Sequence, residues 1–338
     1  MSHARRLGVT LFVSGIALLA VAALALFLGS ANLSSGDVLR VLAGRAPEES
    51  TASVVILKLR LPRIAAAAVA GGALAVAGLG FQALTRNPLA EPSVLGVSSG
   101  AAFGVIVGQL VGGAETLTDA LRLTVFGFAG AVLAGTAVYL IAAINGALPV
   151  QTLLLAGVIV GIFFASALTV LTSLVDINRL GGIVHWLLGN VSALPPGPLA
   201  LFAALAALGF WLVVGQARQL NLLALGEEAA LQLGVNAERL KLRVFVGAAL
   251  LTSSVVAFAG PIGFVGLVVP HMLRFVLGPD NRLLVPAALL AGGGFLLIAD
   301  TLARTIIAPA ELSVGVITSL CGAPFFVYLL RTRARSML

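Results

Sequence analysis

The residues that could carry out chemistry in this chain are few and widely separated. The three histidines are His3, His185 and His271, and they form neither an HExxH motif nor a cluster with zinc-ligand spacing. The two lysines, Lys58 and Lys241, lie outside any Gly-Lys-Ser/Thr phosphate-binding loop. We therefore predict no catalytic residues, no metal site, no cofactor and no ATP hydrolysis by this chain.

The composition excludes most soluble proteins. Of 338 residues, 60% are hydrophobic and only 10% are charged, whereas about a quarter of the residues in soluble domains are charged. The single cysteine, Cys321, cannot form an internal disulfide. The net charge of +7 does not predict a nucleic-acid partner, because basic residues of membrane proteins mark cytoplasmic loops. The composition predicts a polytopic membrane protein whose partner is the lipid bilayer.

The elements that must position any functional residue are apolar helices. A spanning helix needs about 20 mostly apolar residues, and ten segments qualify: 7–29, 62–84, 93–112, 120–143, 150–174, 196–217, 238–258, 262–277, 283–303 and 312–331. We expect an all-α fold in a single domain, 1–338, with possible inverted repeats at 62–174 and 238–331. The first segment could be mistaken for a signal peptide, but it lacks a small-residue cleavage site.

Charge placement orients the chain. Ten spans put both termini on one side, and arginines near both termini indicate that this side is cytoplasmic. The segment 30–63 then lies outside although it carries five basic residues: Arg40, Arg45, Lys58, Arg60 and Arg63. Either these residues serve a partner, or Arg60 and Arg63 anchor the helix at lipid phosphates.

Few ionisable residues fall within the predicted spans. Ion-coupled carriers bury carboxylates or histidines near the middle of the bilayer. Here Asp300 and Arg274 lie near predicted membrane faces instead. We therefore expect the energy for any transport to come from a partner protein.

The longest cytoplasmic loop, 218–238, contains a predicted short helix. Glu227 and Glu228 follow Gly226, as expected at a helix start, and Gly234 is a plausible stop. Leu222, Leu225, Ala229 and Leu233 would then be available to one face. This face is either a partner surface or packs under the bundle.

The longer motifs resemble the FecCD family, the permeases of ABC importers for iron-siderophores, haem and vitamin B12. The resemblance covers about 57–330 and rests on Arg60-Leu61-Pro62-Arg63, Asn87-Pro88-Leu89-Ala90-Glu91-Pro92, 95–101, 153–157, 221–234, 260–271, Ala299-Asp300, Ala303-Arg304, Glu311-Leu312 and 322–326. It implies a homodimer of ten-helix subunits, two ATP-binding subunits on the cytoplasmic side and a soluble substrate-binding protein outside.

The resemblance also implies residue roles. Arg60, Arg63 and Arg304 would dock the binding protein. A cytoplasmic gate would lie at Val150 and Gln151, where family members often carry small hydroxyl residues. The ATPase would be coupled through Asn221, Leu222, Leu225, Gly226, Glu227, Glu228, Ala229, Leu233 and Gly234.

Together these features predict a non-catalytic permease subunit in the bacterial cytoplasmic (inner) membrane. Its cargo would be an iron chelate, a ferric siderophore first, with haem and cobalamin as alternatives. An ion-gradient-driven secondary transporter is the alternative function, and the scarcity of buried carboxylates counts against it. A membrane-embedded enzyme is disfavoured, because the sequence contains no catalytic cluster.

Overall fold

The computed structural model describes residues 3–31, 33–111, 117–174 and 177–336. Within these ranges the regular structure is helical, apart from one isolated antiparallel bridge between Ile144 and Ala147. The α-helices in chain order are α1 (His3–Phe27), α2 (Ser35–Leu42), α3 (Thr51–Ser53), α4 (Leu61–Thr85), α5 (Val97–Val111), α6 (Leu117–Ala142), α7 (Val150–Leu174), α8 (Ile177–Leu187), α9 (Pro196–Val214), α10 (Ala217–Leu223), α11 (Glu227–Gln232), α12 (Ala237–Ala259), α13 (Val265–Leu277), α14 (Asn281–Thr305) and α15 (Val314–Ser336). The prediction of an all-α fold is confirmed.

Ten of the described helices correspond to the ten predicted spans. Seven of these helices are long and apolar enough to cross a membrane. The other three, α5, α13 and α15, contain shorter apolar stretches. The helix α7 has the predicted bounds, Val150–Leu174. The short α5 and α13 follow breaks in the chain: a 3-10 turn at Pro92–Leu95 precedes α5, and Phe264 with φ 69° precedes α13.

The segment 30–63, predicted as a loop, is largely helical. Helix α2 begins at Ser34, whose side chain accepts a hydrogen bond from the backbone N–H of Asp37. A continuous helical stretch then runs from Thr51 through a π-helical segment, Val54–Arg60, into α4. Arg60 and Arg63 therefore lie at a helix entry and not in a free loop.

Helix α4 forms the centre of the bundle. It packs against α9, α12, α13 and α14, and its closest partner is the antiparallel α14. A Cβ placed on Gly71 would overlap the carbonyl oxygen of Gly292, and one on Gly72 would lie 2.6 Å from the carbonyl oxygen of Leu289. Glycine therefore lets the two backbones touch, as expected for helices that pack by van der Waals contact in a membrane.

Three of the long helices are mostly exposed and lie at the periphery. Only 6% of the most apolar stretch of α1, 22% of that of α9 and 28% of that of α7 is buried. On α7 the large side chains Leu155, Ile159, Ile162 and Phe163 are exposed. In a bundle of this composition such faces contact lipid or another membrane subunit.

Candidate docking and coupling surfaces

Five charged residues gather where α4 begins and α14 ends. We call this group the arginine cluster, and its members are Arg60, Arg63, Asp300, Arg304 and Glu311. Arg60 ends the π-helical segment before α4, Arg63 lies in the first turn of α4, and Asp300 and Arg304 lie in the last turns of α14. Glu311 lies in the connection from α14 to α15. The structure thus brings together the three arginines that the resemblance assigned to docking.

Asp300 is the centre of the arginine cluster. Its Oδ1 accepts hydrogen bonds from Nε and Nη2 of Arg63 at 3.1 and 3.0 Å. Its Oδ2 lies 3.1 Å from Nε of Arg304, although the direction is poor for a hydrogen bond. The Asp300 side chain is 0% exposed. One buried carboxylate therefore pairs with two guanidinium groups, and pairing is what a buried charge requires.

Glu311 forms the solvent-facing side of the arginine cluster. Its Oε2 accepts a hydrogen bond from Nη1 of Arg63 at 2.8 Å, and its Oε1 accepts one from the Ser30 hydroxyl at 3.1 Å. Partial burial acts to raise the pKa of Glu311, but the contacts with Arg63 and Ser30 outweigh it and lower that pKa below its usual value. Glu311 is therefore a carboxylate near neutral pH.

The other two arginines are less accessible than the sequence suggested. Arg60 is 4% exposed and donates to the backbone carbonyls of Leu26 and Ala31, near the end of α1. Arg304 is also 4% exposed, and its buried Nη2 has no hydrogen-bond partner among the described residues. Sequence reasoning missed Asp300 and Glu311 as members of the site, although the i,i+4 spacing of Asp300 and Arg304 on one helix was a signal.

At the opposite end of the bundle, two short helices form the predicted coupling loop. They are α10 and α11, separated by a turn that ends at Gly226 with φ 116°. Leu225, Leu231 and Leu233 are 67%, 67% and 59% exposed, whereas Leu222 and Ala229 are partly buried. The helix starts and stops at the predicted residues, since Gly234 has φ 82°. Leu231, which sequence reasoning omitted, belongs to the exposed face.

Asn221 ties the coupling loop to the start of α14. Its Nδ2 donates to Oδ1 of Asp280 at 2.7 Å, and its Oδ1 accepts from the backbone N and the side-chain Nδ2 of Asn281, both at 2.9 Å. We call Asn221, Asp280 and Asn281 the asparagine clamp. Partial burial acts to raise the pKa of Asp280, but hydrogen bonds from Arg282 and Asn221 lower it to about 2.

The predicted gate and the coupling loop share one groove. Its volume is about 370 Å³, and its lining includes Val150 and Gln151 from the start of α7, together with Arg86, Glu227 and Lys241. Lys241 donates to Glu227 and Glu238 at 2.9 Å each, and Nη2 of Arg86 lies 3.8 Å from Glu227. Charge pairs therefore connect the end of α4, the coupling loop and α12.

The arrangement offers surfaces for binding. Within the described ranges, no group of three or more His, Cys, Asp or Glu side chains could hold a metal ion. One end of the bundle carries the arginine cluster with its two carboxylates. The other end carries the coupling loop, which has exposed leucines beside Glu227 and Glu228. Both ends of the bundle thus carry charged or exposed apolar side chains of the kinds that protein interfaces use.

Comparison with known proteins gives consistent matches. The model of the FecCD transport family matches residues 17–332. The hemin transport system permease protein HmuU of Yersinia pestis is 43% identical over 277 residues, which cover 81% of this chain and 82% of the relative. The iron(3+)-hydroxamate import system permease protein FhuB of Bacillus subtilis is 37% identical over 331 residues, which cover 97% of this chain and 85% of the relative.

A solved structure gives the same result for the fold. It is an inward-facing conformation of an ABC transporter of the metal-chelate type, with a TM-score of 0.82 and 29% sequence identity, and the match covers 96% of this chain and 99% of that one. The motifs, the helical architecture and the match over nearly the whole chain agree. This chain belongs to the FecCD transport family.

Proposed function

We propose that the chain is the membrane permease subunit of an ATP-driven importer. The observation that carries this proposal is the exposed pair α10 and α11, which presents Leu225, Leu231 and Leu233 away from the bundle. Exposed leucines on a short helical loop are costly unless a partner covers them. We propose that two separate ATP-binding subunits cover them on the cytoplasmic side.

We propose that the groove beside the coupling loop contains the cytoplasmic gate. Val150 and Gln151 begin α7, and Glu227 of the coupling loop lines the same groove. A displacement of α11 would disturb the Glu227–Lys241 ion pair at 2.9 Å and thus reach the wall that faces α7. This proximity supports the assignment, even though neither residue is the small hydroxyl residue that the family resemblance implies for a gate.

We propose that the arginine cluster is the docking point for a soluble substrate-binding protein on the outer side. Arg63 is the arginine best placed for direct contact, because its side chain is 14% exposed and its partner Glu311 is 33% exposed. A carboxylate from the binding protein can compete with Glu311 for Arg63. Arg60 and Arg304 would contribute positive potential from within the protein, which steers an acidic partner without direct contact.

The docking proposal has a direct test that spares the buried residues. Glu311→Gln removes one negative charge from the half-exposed edge of the arginine cluster, so affinity for an acidic binding protein should rise severalfold at low salt and the gain should shrink as salt screens it. Glu228→Gln removes an equal charge at the opposite end of the bundle and should leave this affinity unchanged. Equal effects of the two variants would contradict docking at the arginine cluster.

We propose that two copies of the chain pair through exposed apolar helices and enclose the pathway. The exposed face of α7 carries Leu155, Ile159, Ile162 and Phe163. The first residues of α7, Val150 and Gln151, line the gate groove. Alternating access would follow from tilting of α7 relative to the buried α4. A largely apolar wall suits passage, because a strongly binding pathway would retain its cargo.

Packing supports the proposed inverted repeats within one domain. In the first half α4 contacts α12, and α5 contacts α6, which contacts α7. In the second half α12 contacts α4, and α13 contacts α14, which contacts α15. The breaks before α5 and α13 occupy corresponding places in these two series, as in transporters with inverted repeats.

We propose a ferric siderophore as the cargo, with haem and cobalamin as the alternatives. The relatives named for iron(3+)-hydroxamate import and for hemin transport are 37% and 43% identical to this chain and align with 97% and 81% of it, which supports this group of cargoes as a whole. The protein would lie in the bacterial cytoplasmic membrane with both chain termini on the cytoplasmic side. Competition for uptake by vesicles among a ferric hydroxamate, haem and cobalamin tests the cargo, and preferential inhibition by haem or cobalamin would contradict our choice.

A further inference from the structure

Helices α4 and α14 each reach from the arginine cluster to the coupling loop. The first turns of α4 carry Arg63, and the residue after its last turn, Arg86, lies 3.8 Å from Glu227 of α11. In the opposite direction, Asn281 at the start of α14 binds Asn221 of α10, and Asp300 lies near its end. Asn281 and Asp300 are about 29 Å apart along a helix that rises about 1.5 Å per residue.

The two helices are in contact along their length as well as at their ends. Gly71 and Gly292 face each other so closely that a Cβ on either would overlap the other's backbone. A Cβ on Gly293 would lie 2.9 Å from the carbonyl oxygen of Ala68. Because interiors packed at this density do not deform gradually, a shift of one helix must displace the other.

The asparagine clamp joins this helix pair to the coupling loop by bonds of fixed direction. The Asn221 amide donates to Asp280 and accepts from Asn281, so both ends of the amide are used in a single orientation. Asn281 is 7% exposed, and loss of a buried polar partner is costly. The Asp280 side chain also caps α14 by accepting from the backbone N of Arg282 at 3.0 Å.

We propose that α4 and α14 form a rigid strut that links the arginine cluster to the coupling loop, with Asp280 and Asn281 as positioning residues that hold the coupling loop to the strut. This inference rests on the proposed importer function and adds a route between its two partner surfaces. When a binding protein docks at the arginine cluster, the strut conveys the displacement to α10 and α11. The docked binding protein then changes the affinity of the partner ATPase for nucleotide. By linkage, bound nucleotide changes the affinity of the permease for the binding protein by the same factor.

The first test needs only this permease in lipid nanodiscs. Asn281→Ala should speed amide hydrogen exchange in 217–232 about fivefold, which corresponds to about 1 kcal/mol for the lost hydrogen bond. Gly294→Ala is the control in the same helix, because its Cβ meets open space and Asn281 keeps its bonds to Asn221, so exchange in 217–232 should stay as in the wild type. Equal exchange in the wild type and Asn281→Ala would overturn the asparagine clamp.

The second test uses the full complex with its ATPase and binding protein. Asn281→Ala should reduce the stimulation of ATPase activity by saturating binding protein about fivefold and weaken the effect of nucleotide on binding-protein affinity. Asp280→Asn, which keeps a helix cap and an acceptor for Asn221, should retain most of the stimulation. Unchanged stimulation in Asn281→Ala would overturn the strut, whereas a wild-type complex without ATP-dependent uptake would refute the importer function itself.

Discussion

Replacement of Asp300 by asparagine tests whether the arginine cluster is held together by one buried carboxylate. The substitution keeps the shape of the side chain and removes its charge. Two guanidinium groups, whose side chains are 14% and 5% exposed at Arg63 and Arg304, then face each other without a shared counter-ion. The expected result is a large loss of stability from a change of one atom.

The structure sets the size of this loss. Removing one partner of a buried ion pair costs about 3–5 kcal/mol because the remaining charge is left uncompensated. Arg63 keeps its bond to Glu311 at 2.8 Å, so we expect the lower end of that range, about 3 kcal/mol. Arg304 keeps no other carboxylate within ion-pair distance among the described residues, so most of the loss should come from Arg304.

A double-mutant cycle separates these contributions. Unfolding in mixed detergent micelles, followed by circular dichroism, should show that Asp300→Asn with Arg304→Met is more stable than Asp300→Asn alone by about 1–3 kcal/mol. The control Glu228→Gln, an exposed change, should stay within about 0.5 kcal/mol of the wild type. A loss below about 1 kcal/mol for Asp300→Asn, or strict additivity in the cycle, would refute the assignment.

Three further predictions concern other parts of the molecule. Gly292→Ala should destabilise the protein by about 1–3 kcal/mol, because its Cβ collides with α4. Gly294→Ala should be neutral or stabilising in the same unfolding assay, because its Cβ meets open space. Leu231→Glu should abolish co-purification with the ATPase while Leu39→Glu does not, and retention by Leu231→Glu would contradict coupling through α11. Ionised Asp280 contributes stability that is present above about pH 4 and lost as the pH falls towards its pKa of about 2. The difference in unfolding temperature between the wild type and Asp280→Asn should therefore vanish over that pH interval, and a constant difference would contradict the account.

The sequence predicts the architecture well because membrane burial leaves a strong pattern. The ten apolar segments, the helix start after Gly226 and the stop at Gly234 depend on local physics, namely apolar length and positive φ. Helix α7 accordingly has the predicted bounds. The sequence did not predict that the helical stretch begins at Thr51. The π-helical segment before α4 carries Lys58 and Arg60, and these charges end the apolar pattern there.

The long-range partners of the charged residues were beyond sequence reasoning. Arg63 and Asp300 are 237 positions apart, and only the antiparallel packing of α4 on α14 brings them to 3.0 Å. The burial of Arg60 likewise depends on carbonyls at the end of α1. An excess of basic residues was visible in 30–63, but whether those residues face a partner or the protein itself depends on tertiary structure. A charge reversal at the buried Arg60 or Arg304 would therefore perturb folding as well as the proposed docking.

In the proposed function, separate ATPase subunits drive import through this permease. The measurement is uptake of a ferric hydroxamate into proteoliposomes that contain the permease, its ATPase and its binding protein. Uptake should require ATP and the ATPase, stop when the ATPase is catalytically inactive, and persist when proton and sodium gradients are dissipated. Uptake that continues without the ATPase and follows an ion gradient would contradict the account.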